Sequence, residues 1–326
     1  MGGMAPSKAT LDRLPKALSE RWEAKRVAFG AQMRETETVP DEAVSVGVSL
    51  DGVLVPMKDG GKEAKRARTT AAGRLAKGPA GYSEASVGTL TLYDREGTPL
   101  RTVRLGRMPE PNKLTLKSEI EADFLHIIEQ RPDLKVVAVA DGVADNWTFL
   151  DQVACGRRDE QVLDFYHAAE HLHAALVAAY GEGTEKCSAE FAAYRHILRH
   201  DRGGADKVIR HLRYLASRFR RKPKIATEVR YFRKRRKRMD YARLAARGLP
   251  IGSGIVEAAC KTLVSQRFKR SGMRWRHPGG QAILTLRALT QSDRFDAAWA
   301  LLKATYVRRV HYPENLIRFP RARASA

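Results

Sequence analysis

The sequence predicts a mixed α/β fold in which a five-stranded sheet is flanked by helices and interrupted by an all-α insertion. Five segments with the apolar or alternating pattern of strands all lie before residue 165, and the later ones alternate with segments of helical spacing. Residues 166–250 then contain almost no strand pattern and many helix-forming residues. Three successive strands followed by alternating strand and helix favour a mixed sheet with helices on its faces.

The expected elements follow the order β-β-β-α-β-α-β. The strands are predicted over residues 44–58, 86–93, 99–105, 136–141 and 161–164. The dipeptide Asp51-Gly52 would allow a tight turn or bulge in the first strand. A polar, basic and glycine-rich stretch over residues 59–84 predicts a mobile surface loop. A helix is expected over residues 114–130, from the spacing of Leu116, Ile120, Phe124, Ile127 and Ile128, and another from about Asn146.

This order divides the chain into five regions. Residues 1–43 carry Leu18, Trp22 and Val27 at helix-like spacing and are too few to form a domain alone. The α/β core is expected over residues 44–165 and is completed by closing helices over residues 251–305. The basic all-α insertion occupies residues 166–250, and residues 306–326 form a basic C-terminal tail.

The charge balance indicates an anionic partner. Lys and Arg total 59 against 37 Asp and Glu, which gives a formal charge of +22. Such a surplus favours nucleic acid first and an anionic membrane surface second. The N-terminus has no apolar export segment, and no apolar run approaches the roughly 20 residues needed to span a bilayer. A cytoplasmic, nucleoid-associated protein without a membrane partner is therefore expected.

The cysteines do not form a zinc framework in the sequence. Cys155, Cys187 and Cys260 are widely spaced, and no CxxC pair occurs. They are expected to be reduced and buried thiols.

The basic residues concentrate in the second half of the insertion. Residues 218–247 hold 14 basic residues and two acidic ones, Glu228 and Asp240. One uninterrupted basic run comprises Arg233, Lys234, Arg235, Arg236, Lys237 and Arg238. Because such a run cannot bury its charges, it is expected to lie in water or against phosphates. The interleaved aromatic residues Phe219, Tyr231, Phe232 and Tyr241 favour nucleic-acid contact over a solvated helical face.

Two aspartates close predicted strands. Asp51 falls on the strand face that carries the small residues Ser45, Gly47 and Ser49, which would let a helix approach closely. The alternative for Asp51 is a turn-capping role before glycine. Asp141 ends an apolar run typical of a central strand, and ligands gather beyond the carboxyl ends of such strands. Asp145 is the alternative second carboxylate, although capping of the following helix also explains it.

A third acidic residue lies one turn into a helix. Glu257 follows Gly252-Ser253-Gly254, where Ser253 is a plausible N-cap. The buried stripe of this helix would comprise Val256, Cys260, Leu263 and Val264. The alternative role for Glu257 is an ion pair with Lys261 four residues on. Carboxylates from two strand ends and one helix can converge, and converging carboxylates bind Mg²⁺ or Mn²⁺.

A competing pattern is the string His167-Ala-Ala-Glu170-His171. It matches the H-x-x-E-H element of inverted zinc peptidases, with both histidines on one helical face and Glu170 as the base. A third protein ligand is not evident, and the +22 charge has no role in a peptidase. The segment from Asp164 to His167, directly after a short strand, instead could organise a site by hydrogen bonds to its ligands.

At five segments the chain resembles the ISKra-type insertion-sequence transposases of the DDE superfamily. These segments are residues 49–57, 140–147, 163–172, 251–261 and 267–275, and the similarity covers about residues 44–302. The resemblance implies an RNase H-like catalytic fold with a helical insertion between the second Asp and the Glu. It implies that Asp51, Asp141 and Glu257 are the catalytic, metal-binding triad, and that Asp164 and His167 match a supporting D-x-x-H element.

The resemblance also implies an activity. Two Mg²⁺ or Mn²⁺ ions per site would support DNA strand cleavage and then strand transfer of an insertion sequence. The partners would be transposon ends, target DNA and further copies of the chain on DNA. Besides the basic run, the residues expected to contact DNA are Lys261, Arg267, Lys269, Arg270 and Trp275, although Trp275 fits a buried aromatic about as well.

The N-terminal region differs from the family pattern. Family members carry a longer region that recognises transposon ends, so residues 1–43 are expected to be a remnant of it. Two alternatives to a transposase follow: an RNase H-like nuclease that cuts without joining, and a truncated, inactive DNA-binding remnant.

Overall fold

The sheet has two antiparallel and two parallel strand pairings. The computed structural model describes residues 7–58, 60–74, 81–153 and 159–306. The strands of the described chain are β1 (Ser45–Pro56), β2 (Tyr82–Tyr93), β3 (Pro99–Arg107), β4 (Lys135–Ala140) and β5 (Glu160–Leu163). Their order is β3-β2-β1-β4-β5, with β1 antiparallel to β2 and parallel to β4. β2 and β3 are antiparallel, and β4 and β5 are parallel, so the prediction of a mixed five-stranded sheet is confirmed.

The register places Asp51, in the middle of β1, level with the end of β4. Ser49 of β1 pairs with Val139 of β4. Asp51 and Asp141 therefore each lie two residues beyond this pair, at the same level on neighbouring chain segments. β1 itself continues without a break through Asp51-Gly52 to Pro56, so the expected turn or bulge at this dipeptide was wrong. Pairing with β2 on the other side, where Asp51 faces Val87, holds the strand straight there.

Helices cover both faces of the sheet. The described helices of the core are α4 (Leu114–Gln130), α5 (Ala144–Val153), α11 (Gly254–Ala259), α12 (Gln266–Phe268), α13 (His277–Gln291) and α14 (Phe295–Ala304). A π-helical segment, Cys260–Ser265, joins α11 to α12. Val48 and Leu50 of β1 share one apolar cluster with Ile120 of α4, while Val53 shares another with Leu263 of the π-helical segment.

The insertion is helical, as predicted. Its elements are α6 (Phe165–Tyr180), α7 (Glu185–His200), α8 (Gly204–Arg218), α9 (Pro223–Arg235) and α10 (Tyr241–Ala245), with a 3₁₀ turn over Arg236–Arg238. Phe165, Leu212 and Phe232 are buried in the same cluster as the sheet. The insertion thus packs on the core and is not separated from it by a linker.

The N-terminal region forms α1 (Lys8–Ala24) and α2 (Arg26–Thr36), which confirms its helical character. Trp22, Phe29 and Met33 pack with Leu289 of α13 and Leu302 of α14. These helices complete a third apolar cluster.

The stretch predicted as a mobile loop is partly regular. Residues 60–71 form α3 (Gly60–Ala71), and residues 82–84 belong to β2, so the loop prediction was wrong there. Residues 59 and 75–80 lie outside the described chain, as do Cys155 and residues 307–326 of the predicted tail. Cys187 and Cys260 are free and buried, as expected. Among the described helices none combines the length and apolar character that crossing a bilayer requires.

Candidate active site and cationic surface

Carboxylates from four parts of the chain line one cavity beyond the carboxyl ends of β4 and β5 and beside the middle of β1. The cavity has a volume of about 220 Å³ and is lined by Asp51, Asp141, Asp164 and Glu257, among others. The three residues of the predicted triad therefore face the same space. Asp145 is not among the lining residues, because its exposed carboxylate pairs with Lys117 at 3.3 Å.

Asp51 is partly buried against the segment that follows Glu257. Its Oδ1 accepts a hydrogen bond from the backbone N–H of Gly52 at 2.6 Å, and its Oδ2 accepts one from Cys260 Sγ at 3.4 Å. Burial raises the pKa of Asp51, and the negative charge of Asp141 raises this pKa further, whereas the hydrogen bonds and Lys113 lower it. The side chain thus sits on the small-residue face of β1, where the sequence placed it and where a helix approaches.

Asp141 is held by the loop between β4 and α5. Its Oδ1 accepts from the backbone N–H of Val143 at 3.0 Å and from Nδ2 of Asn146 at 3.3 Å. Its carbonyl oxygen accepts from Nε1 of Trp147 at 2.6 Å. These bonds fix the residue at the strand end and leave Oδ2 without a protein donor among the described residues.

Glu257 lies in the first turn of α11 and is exposed. Its Oε1 accepts from Oγ of Ser253 at 2.7 Å. The predicted N-cap at Ser253 was wrong in one respect, because the Ser253 side chain caps no backbone N–H and bonds Glu257 instead. The alternative pairing of Glu257 with Lys261 does not occur among the described ion pairs. The predicted buried stripe of Val256, Cys260, Leu263 and Val264 is confirmed.

Asp164 ties the start of α6 to the start of α11. This buried carboxylate caps α6 by accepting from the backbone N–H of His167 at 2.5 Å. Its other oxygen accepts from the backbone N–H of Ser253. His167 itself lines the cavity and lies 3.5 Å from Glu170. Asp164 therefore holds the segment that presents Glu257 in place relative to the sheet.

The donors of the cavity suit a hard divalent cation in chemistry, but they are not gathered round a single point. Four carboxylates in one cavity offer the oxygen ligands that Mg²⁺ and Mn²⁺ prefer. Within the described chain, however, no group of three or more His, Cys, Asp or Glu side chains has the arrangement to hold a metal ion. Asp51, Asp141 and Glu257 each accept from local donors, and Asp51 and Asp141 repel one another.

The zinc pattern of His167, Glu170 and His171 is divided between different partners. Nδ1 of His171 lies 2.6 Å from Oε2 of the buried Glu228, and its ring stacks on Tyr231 with 3.5 Å between centroids. Although burial alone would raise it, hydrogen bonds from His171 and Lys224 lower the pKa of Glu228. His171 thus joins α6 to α9, and the described residues supply no third zinc ligand.

The basic run after α9 is not uniformly solvated. Arg235 donates to the carbonyl oxygen of Gly142 at 2.8 Å, and Arg238 donates to Oε1 of Gln161 at 2.8 Å and stacks on Trp147 at 3.8 Å. For these two the expectation of water or phosphate alone was wrong, since a guanidinium can satisfy its donors on protein carbonyls while stacking on a ring. The interleaved aromatics are also engaged inside the protein, with Phe232 and Tyr241 fully buried.

The other cations of the run remain on the surface. Arg233, Lys234, Arg236 and Lys237 are exposed. Arg236 pairs with Asp206 at 3.1 Å.

The cations after Glu257 lie along the π-helical segment and α12. Lys261, Lys269 and Arg270 are exposed, while Arg267 stacks on Trp275 at 4.8 Å. Trp275 packs against Phe268 at 4.6 Å between ring centroids, and its Nε1 donates to the carbonyl oxygen of Phe268. Trp275 thus has the packing partners of a structural aromatic, and a role in base stacking stays a prediction.

Three residues of the site were not identified from the sequence. Asn146 is buried and donates to Asp141, Lys113 contributes a positive charge near Asp51, and Cys260 bonds Asp51. Asn146 and Cys260 lie within the quoted motifs, five residues after Asp141 and three after Glu257, which was the available signal. Lys113 precedes α4 and has no comparable signal.

No protein-family model matches the chain, and no curated protein matches its sequence. Its function is therefore inferred from the side chains and their geometry.

Proposed function

We propose that this chain is a metal-dependent DNA transposase that cleaves DNA strands and transfers the freed ends, with Asp51, Asp141 and Glu257 as its catalytic carboxylates. The observation that carries the proposal is their convergence: residues far apart in sequence line one cavity of about 220 Å³. The chain has a formal charge of +22, yet four carboxylates line this cavity. Such a cavity can hold cations against a polyanionic substrate.

The sheet supports the finer fold proposal, an RNase H-like core. A three-stranded antiparallel meander leads into parallel β4 and β5, and the carboxylates gather where β4 ends beside the middle of β1. The helical insertion separates the second Asp from the Glu, as the motif resemblance implies.

Asp51, Asp141 and Glu257 would hold Mg²⁺ or Mn²⁺, with Asp164 close to them. When bound, such ions neutralise phosphate charge and acidify the attacking water or 3′-hydroxyl. Oδ2 of Asp141 and Oε2 of Glu257 accept no hydrogen bond from the described residues and are the oxygens available for this purpose. Glu257 could bind an ion through Oε2 while its Oε1 keeps the bond from Ser253 Oγ.

The remaining residues would position DNA and the carboxylates. Asp164 accepts from the backbone of Ser253 and so fixes α11 relative to α6. His167 lines the cavity and can donate to a phosphate oxygen there. Lys261, Lys269 and Arg270 are exposed beyond Glu257 and would bind the phosphates that flank the reacting one.

The test is strand cleavage and joining on DNA fragments that flank the coding sequence, with Mg²⁺ or Mn²⁺. We expect Asp141→Asn and Glu257→Gln each to reduce cleavage by about a hundredfold or more, since a missing ligand removes stabilisation of the transition state. DNA binding should persist in both variants. Asp145→Asn is the matched control, because this aspartate lies in the same segment but pairs with Lys117 outside the cavity.

The controls separate the related functions. Joining of a 3′-hydroxyl end to plasmid DNA distinguishes a transposase from a nuclease that only cuts. Full cleavage by Asp141→Asn would remove Asp141 from the site. Full cleavage by Asp141→Asn together with its loss in Asp145→Asn would assign the second carboxylate to Asp145.

One observation favours a second candidate, a DNA-binding chain without activity: the described carboxylates are not gathered in metal-binding geometry. A thermal shift decides between the two without any turnover. We expect Mn²⁺ to raise the melting temperature of the wild type but not of Asp141→Asn. Equal shifts in both proteins, together with absent cleavage, would favour the second candidate.

A further inference from the structure

We propose that a cleft between α8 and α9 is a binding site for the DNA backbone, separate from the carboxylate cavity and connected to it by a neighbouring cleft that shares two of its lysines. This inference rests on the proposed DNA-processing function and adds a surface that the basic run alone did not define. The cleft encloses about 1110 Å³. Its walls come from two helices of the insertion, so the sequence of either helix alone does not predict the cleft.

One wall is a stripe of α8. Arg210, Arg213 and Ser217 lie three or four residues apart on its exposed side and all line the cleft. The opposite side of α8, with Leu212 and Leu215, is buried in the core. The helix is thereby fixed in rotation, and its two arginines are held facing the cleft.

The other wall comes from the end of α9 and the following 3₁₀ turn. It contributes Arg233, Lys234, Arg236 and Lys237. The single acidic residue that lines the cleft, Asp206, pairs with Arg236 at 3.1 Å. Within the described chain, none of the five other cations lining the cleft makes a hydrogen bond or an ion pair with a protein group: Arg210, Arg213, Arg233, Lys234 and Lys237.

Five unpaired cations around one cleft repel each other, and a polyanion relieves this cost. Cations near the C-terminus of α9 gain some stabilisation from the helix dipole, which accounts for Arg233 and Lys234. It does not account for Arg210 and Arg213, which lie in the middle of α8. Their convergence with the α9 cations is therefore the feature that indicates a phosphate backbone.

The cleft continues toward the carboxylates. Lys234 and Lys237 also line a neighbouring cleft of about 470 Å³, whose wall includes Gly142 and Trp147. Gly142 follows Asp141, which lines the carboxylate cavity. This neighbouring cleft is lined by Arg235 and Arg238 as well as by the acidic Asp151 and Glu160. A DNA strand that leaves the carboxylate cavity would thus pass Arg235 and then Lys234 and Lys237 on its way to α8.

The test measures equilibrium binding of a fluorescently labelled DNA duplex in EDTA, where no cleavage interferes. We expect the double variant Arg210→Ala/Arg213→Ala to bind about tenfold more weakly near physiological salt, because two phosphate contacts are lost. Between about 50 and 200 mM salt, the slope of log K against log[salt] should become shallower by about two. Both arginines are exposed, so the melting temperature should stay close to that of the wild type.

The matched control is Arg13→Ala/Lys16→Ala. These exposed cations have the same three-residue spacing on α1, which packs on α13 and α14 and not on the insertion. The control removes the same charge and should bind DNA as the wild type does. Equal weakening in both double variants would show a net-charge effect and overturn the proposal, as would wild-type binding by the α8 variant.

The outcome does not depend on catalysis. If cleavage is never found but the α8 variant alone loses affinity, the cleft stands and the catalytic proposal fails. If cleavage occurs and the α8 variant binds normally, the cleft proposal fails alone.

Discussion

The thiol of Cys260 donates a hydrogen bond to Oδ2 of Asp51 across 3.4 Å, which joins the segment after Glu257 to the strand that carries the first carboxylate. Burial raises the pKa of Cys260, and the neighbouring Asp51 carboxylate raises it further, so the thiol remains a donor at neutral pH. The bond lies at the start of the π-helical segment, a local geometry that occurs frequently at functional sites. Cys260 thus links the positions of two proposed metal ligands.

Replacing the Cys260 thiol should alter the pH dependence of cleavage. In Cys260→Val the donor that lowers the pKa of Asp51 is absent, so this pKa should rise and Asp51 should be protonated over a wider acidic range. We expect the loss of metal-dependent cleavage on acidification to begin at a higher pH in this variant than in the wild type. Cys260→Ser keeps a donor and is the control. A Val variant with the pH profile of the wild type would show that the thiol does not influence Asp51.

Asp51→Asn should abolish cleavage and yet stabilise the protein without metal. Because burial and Asp141 raise the pKa of Asp51 in the folded state, its contribution to stability is present below its ordinary pKa of about 3.9 and is lost as pH rises through the folded value. At neutral pH the ionised carboxylate is therefore a cost that Asn does not carry. We expect the melting temperature in EDTA at about pH 7 to rise by about 1–3 °C and the gain to shrink toward about pH 4.

Asp145→Asn is the control for this effect, since its carboxylate is exposed and its change should leave the melting temperature within about 1 °C. A lower melting temperature for Asp51→Asn than for the wild type at neutral pH, in the absence of metal, would contradict the prediction.

The strands of the sheet and its first long helix were predictable because local pattern decides them. The short apolar run before Asp141 is typical of a strand buried on both faces, and the spacing from Leu116 to Ile128 is typical of a helix. That Asp51 and Asp141 lie at the same level depends on the register of β1 with β4, which the sequence does not state. α3 was not predicted, because glycines near residue 60 are typical of a loop. The Ala, Lys and Arg residues that follow them are good helix formers and continue the helix to Ala71.

Side-chain partners depend on packing that the sequence does not state. Lys113 approaches Asp51, and Arg235 reaches Gly142, only after the chain has folded. The facing of Arg210 toward Lys237 likewise depends on how α8 rotates against α9. Each of these contacts joins elements far apart in sequence, for which local periodicity carries no information.

Arg235 connects the insertion to the second carboxylate. Its guanidinium donates to the carbonyl oxygen of Gly142 at 2.8 Å and lies 4.2 Å from the ring centre of Tyr231. Arg235→Lys retains the charge, but an ammonium group cannot stack and bridge in the same way. We expect the cleavage rate at saturating DNA to fall about tenfold, which corresponds to about 1.4 kcal/mol, while DNA affinity changes less than about twofold.

Arg233→Lys is the matched control, because Arg233 is an exposed neighbour whose guanidinium makes no hydrogen bond within the described chain. It should leave both the rate and the affinity close to the wild-type values. If Arg235→Lys cleaves DNA as fast as Arg233→Lys does, Arg235 contributes only its positive charge, and its contact with Gly142 does not affect the cleavage rate.

Gly248 packs backbone to backbone against the turn between β2 and β3. Its φ is 65°, and a Cβ added there would collide with the carbonyl oxygen of Arg95. Gly248→Ala therefore combines left-handed strain with a clash that no side-chain movement relieves, and we expect a loss of about 2 kcal/mol or more in the free energy of unfolding. Denaturant titration measures it.

Gly183→Ala is the control, because it measures the left-handed backbone strain without a clash. Gly183 has a φ of 71°, but an added Cβ would meet no atom within 4 Å, so only about 1 kcal/mol should be lost. Equal losses at the two glycines would mean that the contact with Arg95 is relieved by movement of the turn.

Arg294 anchors the N-terminal helices through buried charges. Its guanidinium donates to Asp123 at 2.9 Å and to Glu37 at 2.6 Å, and Asp123 has only 3% of its side chain exposed. Arg294→Met would leave both carboxylates without this partner, so we expect a loss of about 3 kcal/mol in the free energy of unfolding. Without Arg294, Asp123 keeps only the longer contact with Arg34 at 3.4 Å among the described residues, whereas Glu37 keeps Arg101. Adding Asp123→Asn should therefore restore part of that loss, because it removes the buried charge that has lost its closest partner.

Arg243→Met is the comparison for the Arg294 prediction. Arg243 also pairs with a carboxylate, Glu160, at 2.6 Å, but its side chain is 45% exposed, so the loss should stay below about 1 kcal/mol. Similar losses at Arg243 and Arg294 would mean that burial adds nothing to the Arg294 pairs. If instead the two losses differ as expected and Asp123→Asn restores stability, the loss at Arg294 comes from the buried Asp123 carboxylate that has lost its closest cation. Residues 26–37 are then held to the core by ion pairs as well as by apolar contact.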